Sequence, residues 1–235
     1  MLGLIVPGGW EEFFRFIGEP YTGPTWPVHD DRDFLTTMLP KLKAASEKFD
    51  MVPCPERKHF EPQPWNGSEG VLPGKVEPYF LRNGSGPAWV VGGMVVRPLV
   101  TGRESGGRFA IGSVEGSVQH QEQSIFAGDR RLRFNDVHHA FHLVSGKASL
   151  EIDGHASTTL HAGGLAYVPK ATSFGLRILS RTAKLYIFCN GGGMVELLQA
   201  LGKEYKETVV PEKAEPWEAS QLQSLKKLFD GLEIQ

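Results

Sequence analysis

The 235-residue chain is poor in cysteine. Cys54 and Cys189 stand far apart, in no C-x-x-C arrangement. That spacing argues against a disulfide framework or a thiolate metal site and favours two unrelated thiols. No apolar run approaches the ~20 residues that a membrane span requires. Residues 1–7 are too short for the apolar core of a secretory leader and carry no basic flank, so the chain as it stands reads as cytoplasmic. Secretion stays open if the natural N-terminus lies elsewhere. The formal charge is −2, with no long basic run. Nucleic acid and anionic membrane are therefore not expected as partners. The glycine clusters GSGP and GGG precede no GK[ST], and no G-x-S-x-G is present, so phosphate loops and nucleophile elbows are not indicated either. The sequons at Asn66 and Asn83 are both Asn-Gly, first of all a turn signal.

What is abundant is Gly (28), Pro (16) and aromatic residues (10%), in a chain 40% hydrophobic and able to bury a core. That composition favours many short strands and turns. From residue 78 onward, apolar segments of four to eight residues follow one another: 78–83, 88–93, 94–100, 108–114, 139–146, 147–154, 164–169, 174–179 and 184–189. They are rich in β-branched and aromatic side chains and punctuated by Gly, Asn-Gly or Asp-Gly. The pattern predicts an all-β sandwich or barrel. The Glu104–Gly107 run reads as a hairpin loop. Before this body, residues 2–6 read as a strand. Trp10, Phe13, Phe14 and Ile17 recur at helical spacing up to Gly18, and a helix is expected over 31–49, capped by Asp30 or Asp31 and kinked at Pro40. Residues 51–78, with six prolines and three glycines, read as a long ordered connection. Helices are expected again over 194–201 and 217–229.

The chain also repeats itself. GGWEEFFRFIGEPY (8–21) aligns with GGMVELLQALGKEY (192–205), matching two Gly, a Glu, the terminal Gly and the Tyr, with Phe13, Phe14 and Ile17 over Leu197, Leu198 and Leu201. KLKAASEKFD (41–50) aligns with LQSLKKLFD (222–230) at nearly the same offset. The period is about 180 residues. The second copy has a β-rich body before its helices and the first has none. The expected organisation is a remnant tail of a first repeat (1–68), a barrel (69–205) and a helical tail (206–235), from a two-copy parent.

HHAFHLVSGKASLEIDG (138–154) and GGLAYVPKATSFGL (163–176) resemble the two motifs of the cupin superfamily, G-x5-H-x-H-x3-E-x6-G and G-x5-P-x-G-x2-H-x3-N. The opening PYFLRNGSGPAWVVGGMVVRPLVTGRESGGRFAIGSVEG (78–116) and the PGGWEEFFRFIGEPY type of ending narrow the resemblance to the quercetin dioxygenase group, whose members include bicupins. The resemblance implies a double-stranded β-helix, or jelly-roll barrel, with peripheral α-helices. It also implies a divalent Fe, Cu, Mn or Ni ion on the motif His and Glu side chains, and O2-dependent cleavage of flavonols or similar phenolics.

The motif ligands are not retained. With Gly146 as anchor, the Glu position is His139 and the two His positions are Arg133 and Asn135; with Gly163 and Pro169 as anchors, the last His is Phe174. His138 and His142 lie on the opposite strand face from His139, roughly 13 Å apart at ~3.3 Å per residue, too far to share an ion. The barrel is thus expected to be metal-free, without catalytic residues. A metal is expected only in an N-terminal barrel that this chain does not contain. Arg133, Asn135, His139, Phe141 and Phe174 are the candidate pocket residues. They would line a site for a phenolic molecule, Phe174 stacking and Arg133 pairing with its anionic group, or simply fill the barrel. Two functions follow as expectations. One is a degenerate half of a quercetinase-like dioxygenase, inactive alone and complemented by another cupin half. The other is a non-catalytic ligand-binding, dimerisation or storage-type module, with residues 1–68 as a docking arm and a homodimer as its assembly.

Overall fold

The computed structural model describes residues 3–6, 8–24, 29–52, 54, 56, 64–226, 229 and 231–235. The chain forms two compact units, Met1–Gln63 and Pro64–Gln235.

The first unit is a helix pair. α1 (Trp10–Ile17) ends at Gly18, and α2 (Phe34–Lys48) is capped by Asp33, whose side chain accepts the Thr36 N–H. The cap lies beyond the expected Asp30 or Asp31. Asp30 instead pairs with Arg32, which also bridges Glu19. Pro40 sits inside α2 without ending it; the helix forgoes one backbone bond there. Phe13 of α1 is buried edge-on against Phe49, with centroids 5.6 Å apart. The strand expected at 2–6 does not form over the described residues 3–6, which are irregular. Among the described residues this unit holds no strand to pair with them, and an apolar run without a ladder partner stays coil. Residues 53, 55 and 57–63 of the connection expected at 51–78 lie outside the described residues.

The second unit is a jelly roll of two antiparallel sheets. Its strands are β1 (Trp89–Val91), β2 (Met94–Val100), β3 (Ala110–Gly116), β4 (Leu132–Phe134), β5 (His139–Ser145), β6 (Lys147–Ile152), β7 (Thr158–His161), β8 (Leu165–Val168), β9 (Phe174–Ile178), β10 (Ala183–Cys189), β11 (Lys203–Glu204) and β12 (Leu232–Ile234). One sheet runs β11-β1-β2-β3-β10-β5-β8 and the other β12-β4-β9-β6-β7. The helices are α3 (Gly102–Ser105), α4 (Gly193–Leu201) and α5 (Ala219–Leu225). The fold is all-β, a jelly-roll barrel with peripheral α-helices. Alternation built it: on β10, Ala183, Leu185, Ile187 and Cys189 are buried while Lys184, Tyr186 and Phe188 face outward. The inward residues of both sheets form one core with Met194, Leu197 and Leu198 of α4.

Four differences from expectation have physical causes. Residues 78–83 form no strand: the Arg82 N–H bonds the Glu69 carbonyl, and the chain then turns at Asn83–Gly84, with the Ser85 N–H bonded to the Arg82 carbonyl. The Glu104–Gly107 hairpin loop is instead the one-turn helix α3, closed by a Thr101/Glu104 capping box. The final helix is shorter than 217–229, spanning Ala219–Leu225. The chain then adds β12 to the five-stranded sheet, paired with β4 through Leu232↔Phe134 and Ile234↔Leu132. Among the described residues no helix is long and apolar enough to cross a membrane.

Candidate functional site

The candidate site is the interior of the barrel where β4, β5 and β9 face α4. His139 begins β5 and points inward, 1% exposed. Its Nε2 accepts the Met194 N–H at 3.1 Å, at the first turn of α4. Gly193 makes that approach workable. Its φ is 50°, and a Cβ there would stand 2.7 Å from His139 Nε2 and 2.9 Å from Cys189 Sγ.

Aromatic rings close the rest of the imidazole's surroundings. Ring centroids lie 4.7 Å away for Phe134, 5.3 Å for Phe174 and 6.1 Å for Phe141. Phe126 packs behind Phe174 at 6.2 Å. Burial in this apolar setting pushes the His139 pKa down to about 3, outweighing a backbone hydrogen bond at Val137 that acts the other way. The imidazole is therefore neutral at pH 7. Beside it, burial pushes the Cys189 thiol up to about 12, against smaller opposing hydrogen bonds from Val195 and Met194.

The structure gathers three of the five candidate pocket residues, His139, Phe141 and Phe174, into this cluster. It does not bring Arg133 and Asn135 there. On β4 the inward places belong to Leu132 and Phe134, one residue before each of them. Arg133 turns out toward Glu233, and the Asn135 amide donates to Glu233 Oε1 at 2.9 Å. The cause is local. β4 ends at Phe134, the Asn135 N–H extends its pairing with β12 by one bond to the Gly231 carbonyl, and the connection 135–138 breaks the alternation, so that Phe134 and His139 both face inward. A count back from Gly146 at fixed spacing therefore lands one residue off the inward register.

His138 and His142 are outside the barrel, as strand alternation requires. His138 Nδ1 takes the Tyr167 hydroxyl at 2.5 Å, and His142 lies between Tyr186 and Leu165 in the ladder.

These residues do not fit a transition metal. Such an ion requires several N, O or S donors converging at ~2.0–2.3 Å. Here one imidazole, its Nε2 already bonded to a backbone amide, is ringed by phenyl groups. Among the described residues no three His, Cys, Asp or Glu side chains converge.

A cleft of about 910 Å³ opens above the site, lined by Trp89, Glu104, Phe134, Val137, Glu196 and Phe229 among others. Sequence reasoning missed its two carboxylates, although T-x-x-E at 101–104 was a legible capping signal. Both are held by backbone amides. Glu196 accepts the Gly102 N–H at 2.7 Å, and Glu104 accepts those of Thr101 and Gly74 at 2.9 Å. Partial burial pushes the Glu104 pKa up, but its hydrogen bonds from Thr101 and the backbone amides outweigh it and leave the value below normal. The pair fixes the 101–105 segment to α4 and Gly74.

No family model matches the chain. Quercetin 2,3-dioxygenase of Aspergillus japonicus is 23% identical over 237 residues, covering 90% of this chain and 64% of that protein. The chain resembles the quercetin dioxygenase group of the cupins. It spans less than two thirds of the length of this curated relative. Solved structures with partial likeness include KdgF from Halomonas sp. (13% identity, 52% of this chain, 100% of that one, TM-score 0.40). A deletion mutant of the oxalate decarboxylase OxdC of Bacillus subtilis is another (16%, 46% and 28%, TM-score 0.36). The quercetin dioxygenase-like likeness thus spans both units.

Proposed function

We propose that residues 64–235 are a non-catalytic barrel of a quercetin dioxygenase-like cupin, and that ring cleavage of a flavonol or similar phenolic requires a metal-bearing cupin barrel other than this one. The observation that carries the reading is the His139 cluster. The cluster supplies one neutral imidazole at the motif positions, its Nε2 hydrogen-bonded to Met194, with Phe134, Phe141 and Phe174 packed against it. With no donor set at the motif positions, no chemical step is assigned to this barrel. Nothing in the cluster could deprotonate a phenol at neutral pH: an imidazole held near pKa 3 is a weak base.

A second reading, a binder of phenolic small molecules, is favoured by the cleft. Its volume suits a drug-sized ligand, and Trp89, Phe134 and Phe229 present aromatic surface to it.

One preparation tests both. The purified chain is incubated with Fe(II), Cu(II), Mn(II) or Ni(II), desalted, assayed for metal, and then mixed with quercetin in air. Substoichiometric metal and no quercetin loss are expected; quenching of tryptophan fluorescence by quercetin would favour the binding reading over a purely structural one. One transition ion retained per chain and lost in His139→Ala, or measurable ring cleavage, would overturn the non-catalytic assignment.

A further inference from the structure

A second cavity lies on the other side of the seven-stranded sheet. It measures about 390 Å³ and is roofed by residues 80–85, with Arg97, Leu99, Ser113, Lys184 and Tyr186 as its floor. The floor follows from the ladder. Arg97 of β2 pairs with Ser113 of β3, and Ser113 pairs with Tyr186 of β10, so the three stand in one cross-strand row. All three face away from the barrel core, whose side of the same strands carries Val96, Val114, Leu185 and Ile187.

Arg97 is the anomaly. It is only 7% exposed. Its Nη2 donates to two backbone carbonyls, Glu207 at 3.0 Å and Thr208 at 3.4 Å. Among the described residues no carboxylate lies within salt-bridge distance of it. The neighbouring Lys184 is already matched by Glu115 at 3.0 Å, so that pair adds no net charge. A guanidinium largely withdrawn from water is stabilised by a counter-charge. The two carbonyls engage one of its nitrogens and bring no counter-charge. An anion in the cavity would supply the missing partner.

The chemistry narrows which anion. A guanidinium presents a planar fork that matches a carboxylate through two parallel N–H···O bonds. The hydroxyls of Ser113 and Tyr186 stand in the same row, and neither hydrogen-bonds another described residue. Leu99 and Phe80 supply apolar walls, and Phe80 stacks on Trp65 at 5.8 Å. The volume falls in the range of small-molecule sites. We propose that this cavity is a binding site for a small organic carboxylate with an aromatic or apolar body, its carboxylate seated on Arg97. The site is separate from the His139 cluster and does not depend on the reading of that cluster.

Calorimetric titration of the full chain with benzoate, benzamide and inorganic phosphate tests it. Benzoate should saturate one site, with benzamide weaker by about tenfold or more, because removing the charge removes the ion pair. Arg97→Lys keeps the charge but not the fork and should weaken benzoate binding about tenfold, with an unchanged circular dichroism spectrum. Should that variant not fold, Arg97→Met offers an apolar replacement of similar reach, and should abolish the preference for benzoate over benzamide. The absence of benzoate binding to the wild type would overturn the proposal. So would benzamide binding as tightly as benzoate, phosphate binding more tightly than benzoate, or a folded Arg97 variant with unchanged benzoate affinity.

Discussion

His139 is chemically interesting because the barrel keeps it from taking up a proton. Its folded pKa of about 3 lies below the ordinary imidazole value of 6.5, so the native state refuses a proton that the unfolded chain accepts. Above pH 6.5 both states are neutral and the contribution to stability is complete. As pH falls from 6.5 toward 3 that contribution is lost, at up to about 1.4 kcal/mol per pH unit for one proton. His139→Gln retains an acceptor for the Met194 N–H but cannot titrate. Urea unfolding between pH 7 and pH 4.5 should show a steeper loss of stability for the wild type than for this variant, by about one proton's slope. Parallel curves would mean that His139 is not the buried neutral group described above. Ala171 offers a second test at this scale. Its φ is 58°, at the place of the Gly in the second motif, Pro169 being two residues earlier. A non-glycine residue in that region costs roughly 1–2 kcal/mol, partly offset by the unfolded-state entropy that a glycine would add. Ala171→Gly should therefore stabilise the protein by about 0.5–1 kcal/mol and raise Tm by a few degrees, and a lower Tm would contradict the strain assigned here.

At the scale of elements, α1 and α4 carry matching sequences in different settings. Leu198 of α4 is fully buried among strands of the seven-stranded sheet, while its counterpart Phe14 on α1 is 58% exposed. The same amphipathic pattern therefore predicts different energetics. Leu198→Ala should cost roughly 2–5 kcal/mol as a core truncation, whereas Phe14→Ser should change stability by less than about 1 kcal/mol; equal losses in chemical denaturation would contradict the burial described. This contrast also marks what sequence could tell. The long strands were legible because β-branched and aromatic residues alternate along them. α4 was legible from its 3.6-residue period. β4, β7 and β12 were not: three or four residues carry no readable period, and β1 and β8, equally short, were legible from the apolar residues and turn glycines around them, whereas Thr158 and Thr159 of β7 are exposed and polar. β12 is a strand only because β4, far upstream, gives it a partner. The same brevity explains the partial reading of the site. His139 and Phe141 lie on a regular strand, so alternation placed them, and the Gly163 and Pro169 anchors of the second motif placed Phe174. Arg133 and Asn135 straddle the end of a three-residue strand, where alternation stops being a guide.

For the whole molecule, the question is which segments the barrel needs. The core around Val96, Phe141, Leu150 and Leu198 is assembled from residues 89–234. The last residues close it. The Arg131 and Gln235 backbones exchange two hydrogen bonds at 3.0 Å, Ser173 Oγ reaches Gln235 Oε1 at 2.7 Å, and Leu232 is 1% exposed. Without β12, the inward-facing β4 that presents Phe134 to His139 would become an open sheet edge. The chain's C-terminal residues therefore act on the interior through one intervening strand, even though they are remote from it in sequence. A fragment of residues 64–235 should unfold cooperatively and retain a native near-ultraviolet circular dichroism spectrum. The same fragment ending at 230 should lose several kcal/mol, given the buried leucine and the ladder bonds it forgoes. It should also bind dyes specific for exposed apolar surface, because the edge of β4 and the Phe134 ring would be uncovered. Retention of full stability by the shorter fragment would show that β12 decorates the sheet and does not close it.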